Sequence, residues 1–363
     1  MSPARLSSRA ATVAVLETSH PGDMRALNAW LAGHPDAVPR CVLGKTEGNG
    51  CVNDFTRGYT SHVVAEALGL RKGDSSIIMS GGTEGVLTPH LLIFADESAG
   101  EAPLPAGPRL SLGVSRTRVF APFELGRRAQ IEATCDAVLE ACKQAGLEAS
   151  DLCFAQVKCP LLTPERVAAS AEECATTDGY YSMGLSRGAS ALGVALATGE
   201  LSPEHLDAAA AAVCADYARF SSGVASASAG VELMHSEILV LGNAHGSRSA
   251  LRAAHCVMRD SLDLPAVHAM FLEAGLEMEH GQLTPSSQKR VRCVLAKADP
   301  AATVRGQRTT MQSDSDLHAT RHARAAVGGV LGGLTGMTLL YVSGGGEHQG
   351  PQGGGPCCVI FEA

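Results

Sequence analysis

Three short motifs of the form S-[G/A]-G-x-E each place a serine where an apolar, strand-like run opens into a glycine turn. They occupy Ser80–Glu84, Ser228–Glu232 and Ser343–Glu347. A serine hydroxyl becomes a good nucleophile only when a base takes its proton. The backbone N–H groups of such turns can bind a carbonyl oxygen or an oxyanion. The motifs therefore indicate acyl transfer, specifically the hydrolysis of an amide or imide.

A lysine and an arginine accompany each serine, in the same order along the chain. The lysines end apolar runs and are Lys45, Lys158 and Lys297. Pro160, two residues after Lys158, is expected to end the pairing of that strand and to leave Lys158 at an open strand end. The arginines, each at the same distance before a glycine that would end its helix, are Arg57, Arg187 and Arg324. Burial and neighbouring cations both lower the pKa of a lysine, so a cluster of these residues could turn one lysine into the base of a serine. The same cluster would attract a small anion or an acidic imide.

The elements that must position these residues repeat three times. Each repeat reads as strand, helix, strand with lysine, helix with arginine, strand with serine, and a final strand. We predict an α/β fold of three homologous units, at 1–105, 109–247 and 248–363, with a proline-rich linker at 101–108 between the first two. Pseudo-threefold symmetry would bring the shared residues together at one central active site. A repeat kept for packing alone would not need three polar residue types.

Composition excludes several other classes of protein. The chain has 363 residues, a net charge of -8 and no basic run, which argues against a nucleic-acid partner. It has no apolar stretch of membrane-spanning length and no apolar core of a signal peptide after Met1, so we expect a soluble, cytoplasmic protein without a membrane partner. The 12 cysteines include no C-x-x-C pair. Free thiols are therefore favoured over disulfides or a zinc site.

A glycine-rich loop follows the third serine. It runs from His348 to Pro356 and exposes many carbonyl oxygens, which suits a hard cation such as Mg²⁺ or Ca²⁺. Asp299 is the nearest plausible carboxylate. The sequence is equally consistent with an ordinary turn that binds no cation. The lone His348 is more typical of a structural residue than of a catalytic one.

These segments together resemble the cyanuric acid amidohydrolase and barbiturase family over essentially the whole chain. The similar stretches are 44–57, 80–85, 157–163, 186–193, 228–233 and 345–351. The resemblance implies a homotetramer without an organic cofactor that opens a cyclic imide by hydrolysis. It also implies that Ser228 is the nucleophile and Lys158 its base. The symmetry of the sequence alone does not choose among the three serines.

The resemblance further implies two sets of binding residues. The substrate set comprises Lys45, Arg57, Ser80, Gly81, Arg187, Ala229, Lys297, Arg324, Ser343 and Gly344. The set for a structural divalent cation comprises Asp299, Gly346, Gln349, Gly350, Pro351 and Gly354. Thr320 lies four residues before Arg324 and shares its helix face, so we predict that it touches the substrate ring.

The presence of all three arginines and an intact third serine turn favours cyanuric acid as the substrate. Cyanuric acid has three equivalent edges, whereas barbituric acid replaces one ring N–H by a methylene. Hydrolysis of cyanuric acid would give carboxybiuret, which decarboxylates to biuret. Two alternatives stay open: a barbiturase that forms ureidomalonate, and a non-catalytic binder of small anions, which would not need three lysines.

Overall fold

Three mixed four-stranded sheets form the framework of the protein, whose computed structural model describes residues 9–69, 75–99 and 105–363. The first sheet contains β1 (Arg9–Glu17), β2 (Val38–Thr46), β3 (Ser76–Gly81) and β4 (His90–Ser98); the second contains β5 (Arg109–Arg116), β6 (Leu152–Pro160), β7 (Ala225–Gly230) and β8 (Glu237–Ala244). The third contains β9 (Leu251–Met258), β12 (Val291–Ala298), β15 (Tyr341–Gly344) and β16 (Gly355–Glu362). In each sheet the last strand in the chain lies between the first two and pairs antiparallel with both, and the second strand runs parallel to the third.

Helices connect the strands within each sheet. They are α1 (Arg25–Gly33), α2 (Phe55–Ala67), α3 (Arg128–Ala145), α4 (Pro164–Ala168), α5 (Gly179–Thr198), α6 (Leu206–Ala211), α7 (Leu264–Glu273), α8 (Pro285–Arg290) and α9 (Ala319–Thr335). Two small hairpins, β10 (Met278–Glu279) with β11 (Gln282–Leu283) and β13 (Thr303–Val304) with β14 (Gln307–Arg308), belong to the third part of the chain. Residues 1–8 and the predicted linker positions 101–104 lie outside the described residues. The predicted unit boundaries stay predictions.

Local sequence signals set the ends of the arginine-bearing helices. Asp54 caps α2 by accepting a hydrogen bond from the Thr56 N–H. The glycines predicted to end these helices, Gly69, Gly199 and Gly336, have φ angles of 63°, 80° and 69°. A residue with a Cβ reaches this left-handed region only with strain, so each helix stops there.

The inner faces of the three sheets share one hydrophobic core. It joins residues from every sheet, among them Cys41, Leu43, Ile78, Leu112, Phe154, Leu241, Ala253, Leu295 and Tyr341. The opposite faces are covered by the helices of their own sheets: Leu27 of α1 packs on the first sheet, Val138 of α3 on the second and Leu331 of α9 on the third. Because side chains alternate along a strand, every second residue is directed at the shared core.

One strand prediction was wrong. Pro160 was expected to end the pairing of its strand and to leave Lys158 at an open end. Instead β6 continues past Lys158, and Pro160 pairs with Gly230 of β7. The pairing of β6 with β8 ends at Lys158 and Glu237. Because Pro160 has no β8 partner, its missing N–H removes no bond on that side.

The described residues bear on two predictions made for the whole chain, one about membrane-spanning segments and one about the cysteines. None of their helices is long and apolar enough to cross a membrane. All 12 cysteines of the sequence lie in the described part and form no disulfides with one another, and most of them are buried.

Candidate active site

The three predicted lysines lie near the ends of β2, β6 and β12, on the face of the shared core. In β2, Lys45 follows Cys41 and Leu43 at two-residue spacing, so it continues their inward-facing row. Lys297 follows Cys293 and Leu295 in the same way. The exposed fractions of Lys45, Lys158 and Lys297 are 1%, 0% and 1%. Strand alternation therefore delivers three amines to the buried centre of the molecule.

Strand register places one serine beside each lysine. The parallel pairs align Lys45 with Ser80, Lys158 with Ser228 and Lys297 with Ser343. In the first and third sheets the lysine Nζ donates a hydrogen bond of 3.2 Å to the serine Oγ. The repeated order of lysine and serine in the sequence thus becomes direct contact across two neighbouring strands in the first and third sheets.

A single cavity collects most of the residues that the sequence singled out. Its walls contain Arg57, Ser80, Gly81, Arg187, Ser228, Ala229, Arg324, Ser343 and Gly344. Gly50 and Met183, which no motif had suggested, complete the lining. The serines come from the three sheets and the arginines from α2, α5 and α9. The cavity therefore presents three hydroxyls and three guanidinium groups, with the lysines behind the serines.

Two of the arginines are clamped by the glutamate of a serine motif from another sheet. Arg187 donates to Glu347 at 2.7 and 2.6 Å, and Arg324 donates to Glu84 at 2.7 and 2.6 Å. Burial raises the pKa of both carboxyls, but the arginines outweigh it and keep the pKa of Glu84 and of Glu347 below the ordinary value. Both pairs are therefore ionised.

The second serine turn departs from this pattern. Glu232, at the same motif position, binds Lys158 at 2.8 Å instead of an arginine. Lys158 also donates to the Met79 carbonyl at 2.8 Å. The Ser228 Oγ is buried and has no hydrogen-bond partner among the described residues. Arg57 donates to the carbonyls of Ala229 and Cys51 at 2.9 and 2.6 Å.

The buried lysines have lowered pKa values. Burial, helped by Arg324, holds the pKa of Lys45 well below its usual range. Burial lowers the pKa of Lys297 to about 7, and Arg187 contributes. For Lys158, burial and Arg57 lower the pKa while Glu232 raises it, with a net decrease. A lysine with a lowered pKa can supply the neutral amine that a general base requires.

The predicted cation loop folds around Asp299. Its two carboxylate oxygens accept hydrogen bonds of 2.9 Å from the N–H groups of Gly346 and Gly353. The carbonyls of Gly346 and Pro351 accept turn hydrogen bonds. The Gln349 side chain bonds the Ala227 N–H at 2.7 Å and so ties the loop to β7. The loop thus holds a buried carboxylate through two backbone N–H groups.

Thr320, His348 and the glutamates of the three motifs complete the comparison between the structure and the sequence predictions. Thr320 is one step removed from the cavity, because it lies against Gly344, and its Oγ1 hydrogen-bonds His318 Nδ1 at 2.9 Å. His348 is buried and bonds the backbone of Cys214 and Phe220 outside the cavity. The sequence analysis assigned no role to the motif glutamates. A glutamate recurs at the fifth position of every motif, and this recurrence could have indicated one.

Comparison with known proteins identifies the family. A model described as amidohydrolase ring-opening protein matches residues 12–362, so the chain belongs to this family of ring-opening amidohydrolases. A cyanuric acid amidohydrolase of Pseudomonas sp. (strain ADP) is 47% identical over 336 residues, which are 89% of this chain and 90% of the relative. A cyanuric acid amidohydrolase of Bradyrhizobium diazoefficiens is 46% identical over 363 residues, 94% and 95% of the two chains.

A solved structure of a cyanuric acid hydrolase superposes with a TM-score of 0.92 at 43% identity, covering 98% of this chain and 100% of that chain. The family resemblance and the enzyme class predicted from the motifs are confirmed. The mixed α/β fold agrees with this structural match.

Proposed function

We propose that the protein hydrolyses cyanuric acid by opening its ring, which gives carboxybiuret and, after decarboxylation, biuret. The observation that carries this proposal is the cavity lined by three serines and three arginines, each serine aligned with a buried lysine. Cyanuric acid presents three equivalent carbonyl and N–H edges. Three equivalent donor sets around one cavity match a ring with that symmetry.

The cavity suits an acidic imide for electrostatic reasons. Each arginine is almost fully buried, with exposed fractions of 3% for Arg57, 7% for Arg187 and 3% for Arg324. Glu347 and Glu84 clamp two of these guanidinium groups, whereas Arg57 donates to backbone carbonyls, has Asp54 at 3.8 Å and lies near enough to Glu232 to lower the pKa of that carboxyl. The Arg57 guanidinium, which makes no hydrogen bond to a carboxylate of the described residues, would stabilise a substrate anion and the developing oxyanion.

In the proposed reaction Ser228 is the nucleophile and Lys158 its base. The Lys158 amine takes the proton of Ser228 Oγ while the oxygen bonds to a ring carbonyl carbon and the carbonyl electrons move onto its oxygen. Collapse of this intermediate breaks the ring C–N bond, and the leaving nitrogen takes the proton from Lys158. Water then attacks the acyl group with the same lysine as base and restores Ser228. The unpartnered Ser228 Oγ supports this choice of serine.

The remaining residues of the substrate set bind and polarise the ring. Ser80 and Ser343, with Lys45 and Lys297 behind them, would donate to the other two carbonyls. The backbone N–H groups of Gly81, Ala229 and Gly344 lie at the same three turns and would assist. In this proposal one carbonyl of the ring is attacked, and the other two carbonyls are bound and polarised.

We further propose that the three sheets are repeats related by a pseudo-threefold axis through the cavity. Their identical strand order supports this arrangement. The homotetramer and the cytoplasmic location stay predictions. Light scattering of the purified protein would measure the oligomeric state.

The loop around Asp299 fits a hard divalent cation such as Ca²⁺ or Mg²⁺. Asp299 with carbonyls of Gly346, Gln349, Gly350, Pro351 and Gly354 would hold it. Such an ion would supply structural charge compensation for the buried carboxylate. It would keep in place the loop that carries Ser343 and Glu347, and it takes no part in the proposed reaction.

The test is a substrate assay with purified protein. We expect loss of cyanuric acid with formation of biuret, and much slower loss of barbituric acid. Turnover of barbituric acid alone would identify a barbiturase. Binding of cyanuric acid without turnover would leave only the small-anion binder.

A further inference from the structure

The three serine motifs are alike in sequence, but their turns differ in backbone geometry. The strands β3 and β15 end one residue after their serines, at Gly81 and Gly344, whereas β7 runs one residue further, to Gly230. The next glycines of the first and third motifs, Gly82 and Gly345, have φ of 103° and 82°. Gly230, at the same motif position, lies outside that left-handed region.

This backbone difference decides where each motif glutamate goes. A Cβ at Gly82 would lie 2.4 Å from the Arg324 guanidinium, and one at Gly345 would lie 2.7 Å from that of Arg187. These two glycines therefore make room for an arginine. A Cβ at Gly230 would instead lie 2.1 Å from Oε2 of Glu232. The extended second turn thus folds its own glutamate back over the strand end, towards Lys158.

The result is an exchange of partners in the second unit alone. By the pattern of the other two motifs, Glu232 would clamp Arg57. It binds the Lys158 Nζ at 2.8 Å, so Arg57 is left to carbonyl groups and Ser228 Oγ is left without a bond. Lys45 and Lys297, whose motif glutamates bind arginines, contact their serines at 3.2 Å.

We propose that Glu232 is the positioning residue that makes the second serine–lysine pair chemically different from the other two. It holds the Lys158 ammonium away from Ser228 and leaves Arg57 without a clamping carboxylate, free to face the substrate. This inference rests on the proposed function, in which Ser228 and Lys158 react. Glu232 touches neither the substrate nor Ser228 and acts through Lys158.

The ion pair couples the charge of Lys158 to its direction. While Lys158 is an ammonium, the carboxylate holds it; once it has lost its proton, that attraction ends and the amine can turn to Ser228, its neighbour in register. The charged and titratable groups around the pair are Arg57 from α2, Cys159 beside Lys158, and Arg166 from α4. Glu232 raises the pKa of Lys158 and so opposes burial and Arg57, and Cys159 raises it to a smaller extent.

The test is the acid limb of kcat/KM against pH, where activity rises as Lys158 loses its proton. Glu232→Gln removes the carboxylate, so the limb should move to lower pH by roughly one to three units. Glu84→Gln and Glu347→Gln, at the same motif position but bound to arginines, are the matched controls and should leave the limb in place. An unmoved limb in Glu232→Gln, or an equal shift in the controls, would overturn the proposal.

Two further variants separate positioning from a merely structural role. Glu232→Asp keeps the charge and should leave the limb close to its wild-type position. Gly230→Ala keeps Glu232 but places a methyl group where its carboxylate lies, at a position whose φ suits alanine. It should move the limb in the same direction as Glu232→Gln, and it serves in place of that variant if Glu232→Gln does not fold.

A crystal structure of Glu232→Gln gives a readout that does not depend on turnover. We expect Lys158 Nζ within hydrogen-bond distance of Ser228 Oγ, as in the other two pairs. If Lys158 Nζ instead stays out of hydrogen-bond distance of Ser228 Oγ in this variant, the positioning role of Glu232 is wrong. If the wild-type protein does not open cyanuric acid, the proposed substrate is wrong; the pH profile on barbituric acid and this crystal structure still test Glu232.

Discussion

Arg324 donates two hydrogen bonds to Glu84, from Nε at 2.7 Å and from Nη2 at 2.6 Å, although 240 residues separate them in the chain. The pair connects α9, which covers the third sheet, to the serine turn of the first sheet. Arg187 and Glu347 make the corresponding link between α5 and the third serine turn, across 160 residues. The cavity is therefore complete only when all three sheets have packed together.

Breaking the ion pair between Arg324 and Glu84 should destabilise the protein. Glu84→Gln leaves the buried Arg324 charge without its carboxylate, and the free energy of unfolding should fall by about 3 kcal/mol. Urea denaturation measures the change. The control is Glu362→Gln, which removes the partner of Arg292 where both side chains are over 40% exposed, at 42% and 44%. That change should stay below about 1 kcal/mol, and equal effects would contradict the assigned difference in burial.

Replacing the three serines one at a time should separate their roles. Ser228→Ala removes the covalent route, so kcat should fall by at least about 10⁴-fold. Ser80→Ala and Ser343→Ala remove only carbonyl polarisation, which is worth roughly 10²–10³-fold. Steady-state kinetics measure the losses, and mass spectrometry of quenched reactions locates any acyl-enzyme. An acyl group on Ser80 or Ser343 would reassign the nucleophile without changing the fold or the reaction class.

Lys158→Ala should remove the pH dependence that the base creates. Because the amine acts only after losing its proton, wild-type kcat/KM should rise with pH through the pKa of Lys158. The variant should lose most of its activity, and the residual rate should lack this rise. Lys45→Ala is the control: its lysine contacts Ser80, so activity should fall while the acid limb keeps its position. A limb that disappears with Lys45 instead would name a different base.

The buried Lys45 should make stability depend on pH. Its folded pKa lies well below the unfolded value of about 10.4, so the unfolded chain binds more protons between the two values. The free-energy cost of burying the Lys45 ammonium therefore lowers the stability fully at pH values below the folded pKa. This cost decreases as pH rises, and it is absent above about pH 10.4. Lys45→Met removes the penalty, so its unfolding free energy relative to wild type should fall as pH rises. Urea denaturation over a pH series tests this, and a pH-independent difference would contradict it.

A divalent cation should stabilise the loop around Asp299. Ca²⁺ or Mg²⁺ should raise the melting temperature of chelator-treated protein, and Asp299→Asn should abolish the response because it removes the only carboxylate of the proposed set. Asp314→Asn, whose carboxylate binds the exposed His322, should keep the response. Differential scanning calorimetry measures both, and an equal response in Asp299→Asn would place any bound ion elsewhere.

Much of the site could be predicted because it depends on local sequence. Alternation along a strand puts Lys45 on the same face as Leu43, and a left-handed glycine ends each arginine-bearing helix at a fixed distance from the arginine. Repetition of these short-range rules indicated that three serines, three lysines and three arginines would meet. The long matched segments around Ser228 and Lys158 identified the family before any geometry was known.

The tertiary structure decided which of the equivalent residues became different. The two motif glutamates that bind arginines follow a left-handed glycine at the second residue after the serine, and their arginines come from a helix that covers another sheet, whereas Glu232, which binds Lys158, follows a glycine outside that region. Neither the glycine conformation nor the source of the arginine is visible in the S-[G/A]-G-x-E pattern, which is common to all three turns. The course of β6 past Lys158 to Pro160 likewise depended on where β8 stops pairing. Contacts between distant segments are set by packing of the whole chain, so similar local sequences acquire different partners.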